Sequence, residues 1–265
     1  MPPDGLRASM VRRLSDAGFP APEEEVDELA AGAPDAAALE ERVRRRETGE
    51  PLAWIVGGQP FCGRHVRVHP GVFVPRPQTE ELARRAALAL GGAGGWVLDA
   101  CTGSGAVAAH LRAEVPAARV VATDVSEAAV RCARANRVPV VQAELADPFP
   151  DRVFDVVTAV APYVPTDALA LLPADVRRFE PRPALDGGRD GLDVVRRLVS
   201  AAERVLRPGG RLFLEVGGDQ AGLLTGRLAA SGWVEVRTWS DEDGDLRGLS
   251  ARRALEPRGP GRGGR

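Results

Sequence analysis

The stretch Asp99-Ala100-Cys101-Thr102-Gly103-Ser104-Gly105 decides the fold. Before it stands the apolar run Trp96-Val97-Leu98, which reads as a buried strand, and after it residues 106–113 carry a helical pattern. A strand, a glycine-bearing turn and a helix in that order open a parallel α/β sheet, whose ligands sit beyond the carboxyl ends of the strands where the winding reverses. Outward from this turn, strands are predicted at 119–123, 138–142, 154–159 and 211–216, with helices at 80–90, 127–136 and 192–206. Strands alternating with helices imply a mostly parallel sheet covered on both faces. Residues 234–239 and 249–252 flank the polar turn Ser240-Asp241-Glu242-Asp243-Gly244-Asp245 and read as a hairpin. That hairpin adds one antiparallel strand and brings the predicted sheet to seven.

Upstream, residues 7–46 read as short helices, broken at Gly18 and at the Pro20/Pro22 pair, with further helical runs at 23–31 and 35–46. A helical domain of residues 1–50 is too small to bury much core alone, so it should lean on its neighbour. Residues 52–74 read as a short hairpin, from the alternation in Val66-Arg67-Val68 and again in Val72-Phe73-Val74. The expected division is a helical domain at 1–50, a linking hairpin at 51–79, the α/β domain at 80–254 and a Pro/Gly/Arg-rich tail at 255–265 expected to be disordered.

Bulk composition narrows the function classes. In 265 residues the formal net charge is −2, which lacks the basic footprint of a nucleic-acid binder. The chain has no lysine and a single isoleucine, Ile55, a skew that fits GC-rich codon usage better than electrostatic design. Cys62, Cys101 and Cys132 are odd in number and widely spaced, so neither a disulfide framework nor a zinc site is suggested. His65, His69 and His110 lack ligand spacing, and no metal is predicted. The N-terminus has no apolar signal region and no segment approaches the roughly 20 apolar residues of a membrane span, so a cytoplasmic location is expected.

The central turn is a candidate cofactor loop. Its glycines let backbone approach a ligand, and the following helix start offers free N–H groups. A dinucleotide loop is the rival, but the stretch does not match G-x-G-x-x-G. It begins with a carboxylate, Asp99, which suits the cationic amino group of a methionine moiety better than a pyrophosphate. Asp124 ends the next strand, where a carboxylate accepts both hydroxyls of a ribose; its structural alternative is a residue at a helix start. Glu144 is placed to meet an adenine edge and Leu145 its ring. Asp99, Thr102, Gly103, Gly105, Asp124, Glu144 and Leu145 are therefore the candidate residues for binding S-adenosyl-L-methionine.

The strand at 154–159 is followed by Val160-Ala161-Pro162-Tyr163. Here the chain resembles the release factor glutamine methyltransferases, in which this motif reads Asn-Pro-Pro-Tyr. The resemblance extends over Gly49-Glu50-Pro51-Leu52, over Pro70-Gly71-Val72-Phe73-Val74-Pro75-Arg76-Pro77-Gln78-Thr79-Glu80, over Arg178-Phe179-Glu180-Pro181-Arg182 and over Leu214-Glu215-Val216-Gly217. It spans roughly residues 49–253. It implies a seven-stranded, doubly wound class I methyltransferase sheet and methyl transfer to the side-chain nitrogen of a glutamine in a peptide chain release factor or similar protein. It also implies that Val160, Ala161, Pro162 and Tyr163 form the catalytic motif. Arg76, Thr79 and Glu80 match a segment near the family's active site, although a turn and helix cap explain them nearly as well. Glu180 and Arg182 are placed to brace the loop after Tyr163. A monomer without membrane or nucleic-acid partners is expected.

The motif departs from the family at its first two residues. An amide nitrogen is a poor nucleophile because its lone pair is delocalised, so acceptors that hold both N–H groups aim it at the methyl. The family's Asn supplies one such acceptor, and valine cannot. Leaving one buried N–H unpaired costs roughly 1–3 kcal/mol, a loss of roughly 5- to 150-fold if confined to the transition state. Three outcomes stay open at this point: slower chemistry on the same glutamine, another amino acceptor in a nucleic acid or small molecule, or a cofactor-binding module with little activity.

Overall fold

The computed structural model describes residues 3–255, and the expected disorder of the tail lies, beyond Leu255, outside the described residues. The chain begins with three helices, α1 (Asp4–Asp16), α2 (Pro22–Ala30) and α3 (Ala36–Glu47). Met10, Leu14, Val26, Leu29, Leu39 and Val43 recur at helical spacing, and their buried faces meet in one cluster that also takes in Ile55. Pro22 sits in the first turn of α2, and Asp35 caps α3 by accepting the Ala38 N–H at 2.8 Å. Arg46 is nearly buried; it pairs with Glu25 at 2.5 Å and stacks over the Phe19 ring at 3.8 Å.

The linker differs from its sequence reading. Residues 52–56 form a short helix, α4 (Leu52–Val56), and the hairpin consists of β1 (Gly58–Phe61) and β2 (Arg64–Arg67). Val72-Phe73-Val74 alternates like a strand but pairs with none. Pro70 before it and Pro75 and Pro77 after it remove ladder donors on both sides, and Gly71 turns the chain at φ +80°. Its polar backbone is held by a turn and by side chains instead: the Val72 N–H donates to the His69 carbonyl at 3.1 Å, and the Trp54 indole donates to the Val72 carbonyl at 3.0 Å.

The α/β part follows as α5 (Thr79–Leu90), β3 (Gly95–Ala100), α6 (Ala106–Glu114), β4 (Ala118–Asp124), α7 (Glu127–Ala135), β5 (Val140–Gln142) and β6 (Phe154–Ala159). A connection carrying α8 (Ala174–Phe179) leads to α9 (Asp193–Val205), β7 (Leu206–Glu215), α10 (Gln220–Ala230), β8 (Trp233–Ser240) and β9 (Leu246–Arg253). Sequence patterning missed α8 and α10. The seven-stranded sheet runs β5-β4-β3-β6-β7-β9-β8, and β9 is antiparallel to both its neighbours. Both faces are buried, as expected of a doubly wound sheet. Val97, Val156 and Phe213 point to the α5 and α6 side, while Leu98, Val157, Leu212 and Leu214 point to the α9 and α10 side. This is the class I methyltransferase arrangement, with its winding reversed at β3 and β6.

Candidate active site

The loops after β3, β4 and β6 open into one cavity of about 360 Å³, within the range of small-ligand sites. Asp99 stands in its floor at 2 % exposure and accepts hydrogen bonds from the Thr102 hydroxyl at 2.6 Å and the Thr158 hydroxyl at 2.7 Å. Burial pushes its carboxyl up to about 6, against the pull of those two hydroxyls. The turn is tied to the end of β4: the Thr102 N–H donates to the Thr123 carbonyl at 3.0 Å, and the Gly103 N–H donates to Asp124 Oδ2 at 2.9 Å. Asp124 Oδ1 accepts the Ser126 N–H at 2.9 Å, and Ser126 in turn caps α7. Asp124 is therefore a helix-start residue and a cavity residue at once. Burial raises its pKa, opposed by the N–H groups it accepts.

The two glycines of the turn differ. Gly103 has φ +55° and lines the cavity, and a Cβ added there would meet nothing within 4 Å. Its backbone therefore faces the cavity with no side chain in the way. Gly105 has φ +81°, but a Cβ there would lie 3.0 Å from Val138 Cγ2 and 3.1 Å from Ala133 Cβ. It is absent from the cavity wall and serves the packing of the turn against α7. At the far end, Glu144 and Leu145 line the cavity, and Glu144 pairs with Arg197 at 2.9 Å. A buried carboxylate, an open glycine cradle, a second carboxylate at the end of β4 and an apolar side chain beyond it fit the amino, backbone-facing, ribose and adenine parts of S-adenosylmethionine.

The segment after β6 alternates. Val160 and Pro162 line the cavity, whereas Ala161 is buried in the core on the α9 side. The Tyr163 side chain is absent from the wall; its hydroxyl donates to Glu215 Oε1 at 3.0 Å. Burial and the neighbouring carboxylate both push that phenol well above its ordinary range. Thr79 lines the cavity, and its hydroxyl donates to Glu215 Oε2 at 2.5 Å. Glu215, 2 % exposed, thus joins α5 to the loop after β6, and burial raises its pKa.

Arg76 and Glu80 are not brought to the cavity wall. Glu80, the second residue of α5, faces the hairpin, where it accepts the Cys62 N–H at 2.8 Å and pairs with Arg84. Arg76 pairs with Glu180 at 2.5 Å and lies over the Phe73 ring at 4.8 Å. Glu180 and Arg182 therefore do not act together. Arg182 pairs with Asp186 at 3.1 Å, and Asp186 accepts the Thr166 hydroxyl at 2.6 Å, so of the two it is this arginine that reaches the loop after Tyr163, beside the Gln220 amide that donates to the Tyr163 carbonyl at 2.7 Å. Sequence reasoning missed the apolar wall made by Phe73, Pro75, Pro181 and Pro183. Phe73, Pro75 and Pro181 stood inside motif segments, but no local pattern marks which residues of a proline-rich loop face a cavity.

A protein-family model described as a methyltransferase domain matches residues 97–179. The chain is 37 % identical over 272 residues to the release factor glutamine methyltransferase of Streptomyces coelicolor, covering 94 % of this chain and 97 % of that protein. Other bacterial proteins of the same name are 33 % to 42 % identical. It is also 39 % identical over 202 residues to a 4-amino-L-phenylalanine/4-methylamino-L-phenylalanine methyltransferase of Streptomyces pristinaespiralis, covering 72 % of this chain and 69 % of that protein. Among solved structures, a ribosomal protein L11 methylase from Lactobacillus delbrueckii subsp. bulgaricus superposes with a TM-score of 0.51 at 20 % identity, covering 74 % of this chain and 90 % of that one, a likeness of fold alone. The turn at the sheet's switch point, the cavity it floors and the near-full-length identity lead to one conclusion: the chain belongs to the release factor glutamine methyltransferase family of S-adenosylmethionine-dependent class I enzymes.

Proposed function

We propose that this chain transfers the methyl group of S-adenosylmethionine to the side-chain amide nitrogen of a glutamine in a peptide chain release factor or a similar protein. The observation that carries this reading is that a single cavity joins Asp99, Gly103 and Asp124 to Val160 and Pro162. Donor and acceptor would therefore meet in one space. When bound, the cofactor supplies an electrophilic methyl on a sulfonium sulfur. Asp99 and the Gly103 cradle would hold its amino-acid end, Asp124 its ribose hydroxyls, and Glu144 with Leu145 its adenine. The backbone carbonyl of Ala161, between the two lining residues, would accept one amide N–H of the glutamine, while Val160 offers no acceptor to the other. Phe73, Pro75, Pro181 and Pro183 line the same cavity, and an apolar lining strengthens the polar contacts made beside it. Catalysis here is positioning. The Glu215 bonds to Tyr163 and Thr79 support it by fixing two of the elements around the cavity.

A second reading has its own support. Val160 gives the acceptor end an apolar face, and one relative is named for an aromatic amine substrate. An arylamine nitrogen carries the same two N–H bonds as a primary amide but has a more available lone pair, so it depends less on acceptors that aim it at the methyl. Labelled S-adenosylmethionine with a release factor in one reaction and 4-amino-L-phenylalanine in another separates the two. Label mapped to the glutamine of a Gly-Gly-Gln loop supports the first reading. Label on the free amine alone supports the second, and donor binding without turnover on either excludes both. The net charge of −2 supports a protein acceptor over a nucleic acid. Among the described residues no helix is long and apolar enough to cross a membrane. Action as a cytoplasmic monomer belongs to this proposal.

A further inference from the structure

Part of the cavity wall is built from backbone that belongs to no sheet. Phe73 and Pro75 line the cavity from the stretch at 72–76, and Pro181 lines it from the connection after α8. The stretch at 72–76 is suspended by side chains from three separate places. The Trp54 indole on α4 donates to the Val72 carbonyl at 3.0 Å, and the Gln59 amide on β1 donates to the Pro75 carbonyl at 2.5 Å. The third support is Glu180. Its Oε2 accepts the Val74 N–H at 3.3 Å, and its Oε1 accepts from Arg76 Nη2 at 2.5 Å. Arg76 in turn lies over the Phe73 ring, 4.8 Å from its centroid. Glu180 is 6 % exposed, and its next neighbour in the chain is the wall residue Pro181.

We propose that Glu180 is a positioning residue for the transferase reaction, locking Phe73 and Pro75 against Pro181 so that the acceptor end of the cavity keeps one width. The physical argument rests on what else holds these walls. A strand would take its position from ladder hydrogen bonds, but Pro75 within the stretch at 72–76, with Pro70 and Pro77 just outside it, works against a ladder there. Trp54 and Gln59 fix its two ends from the linker side. Glu180 supplies the polar tie from its middle to the connection after α8, through the Val74 N–H directly and through Arg76 over Phe73, beside the apolar contact of Phe179 with the cluster that holds Val74. A carboxylate does both because it accepts from two donors at once and carries the charge that holds the guanidinium over the ring. The donor end is built separately, on the turns after β3 and β4, so loosening this lock should be felt by the acceptor and not by the cofactor.

This inference rests on the methyl-transfer reading of the cavity, and two measurements keep their failures apart. The first is amide exchange in the intact chain, which needs no substrate. Glu180→Gln keeps an oxygen for the Val74 N–H but loses the charge that holds Arg76; Glu180→Ala loses both. The Val74 N–H should keep its protection in the wild type, exchange faster in E180Q and lose protection in E180A. The second is steady-state kinetics with the release factor acceptor. E180Q should lower kcat/KM for the acceptor by about 10- to 100-fold, the scale of a reacting group misplaced by roughly 1 Å, with donor affinity by calorimetry within about twofold of wild type. Should E180Q fold poorly, Arg76→Lys keeps the charge pair but not the flat stack on Phe73, and should raise the acceptor KM with donor affinity unchanged. In a double-mutant cycle E180Q and R76K should be non-additive on kcat/KM. Unchanged kcat/KM in folded E180Q, donor affinity falling in parallel with turnover, or additive effects in the cycle would each overturn the proposal. A wild type that binds donor but turns over no acceptor removes the functional reading instead, while the Val74 exchange result still tests the lock.

Discussion

Val160→Asn is the substitution that decides the acceptor. Val160 follows the last residue of β6, is half-buried and lines the cavity beside Pro162. Asparagine there adds a side-chain oxygen at the cavity wall without adding bulk. If the acceptor is a glutamine amide, its second N–H gains a partner it now lacks. An unpaired buried N–H costs about 1–3 kcal/mol, so the substitution should raise the rate of the chemical step by about 5- to 150-fold. A countervailing loss of stability of about 1–3 kcal/mol is expected, because Val160 also packs against the apolar face shared by α5 and α6. The assay is single-turnover transfer of labelled methyl to a release factor at saturating donor, with donor affinity and thermal unfolding measured on the same preparation. A folded V160N that binds donor normally yet methylates glutamine no faster would refute the reasoning. A rate that falls on glutamine while wild type is active on an arylamine would move the assignment to the second reading.

Gly103→Ala places a methyl group in open cavity space at φ +55°, so it should weaken donor binding at least about tenfold while costing only about 1–2 kcal/mol of stability. Gly105→Val should do the reverse, because its side chain meets Val138 and Ala133; calorimetry and thermal melts read the two effects separately. The Asp99 carboxyl is lifted to about 6 in the folded chain, above its unfolded value near 3.9. The folded state then holds more protons between those values, so this group removes stability as pH rises from about 4 to 6, by about 3 kcal/mol, and contributes no slope above. Urea unfolding from pH 4 to 7 should show that slope in wild type minus Asp99→Asn, and donor affinity should climb through pH 6 in the wild type only. A difference curve that is flat or of opposite sign would contradict the burial argument. Tyr163→Phe removes the hydroxyl that donates to Glu215, leaving that buried carboxylate with the Thr79 hydroxyl. Stability should fall by about 1–3 kcal/mol, and an unchanged melting curve would show that the Tyr163 bond contributes nothing.

The order of strand, glycine turn and helix around Asp99 was legible because each pattern is local. Val97 and Leu98 alternate between the two faces of β3, and the apolar spacing of α5 and α9 repeats along a few turns. Given those elements, β3 and β4 pair side by side as consecutive parallel strands, so the turns at their carboxyl ends lie next to one another, and Gly103 does meet Asp124. Local pattern misled where the backbone lacked donors. Val72-Phe73-Val74 alternates as a strand should, but the surrounding prolines deny it a ladder, and the stretch became cavity wall instead. Short α8 escaped detection because six residues carry too little periodicity to register.

The sequence by itself determined the sheet, the place of the glycine turn between β3 and α6 and the family, since these follow from periodicity and from contiguous motifs. Only the tertiary structure decided which motif residues face the cavity. Alternation after β6 points Val160 and Pro162 inward and sends Tyr163 to Glu215, while Gly105 and Glu80 turn to packing and to the hairpin. The partners that settle these directions stand far apart in the chain: Arg76 with Glu180, and Thr79 with Glu215. A periodic pattern carries information over one or two turns of helix or a few residues of strand. A buried carboxylate chooses its donors by what the folded chain brings within about 3 Å, and no local spacing encodes that choice.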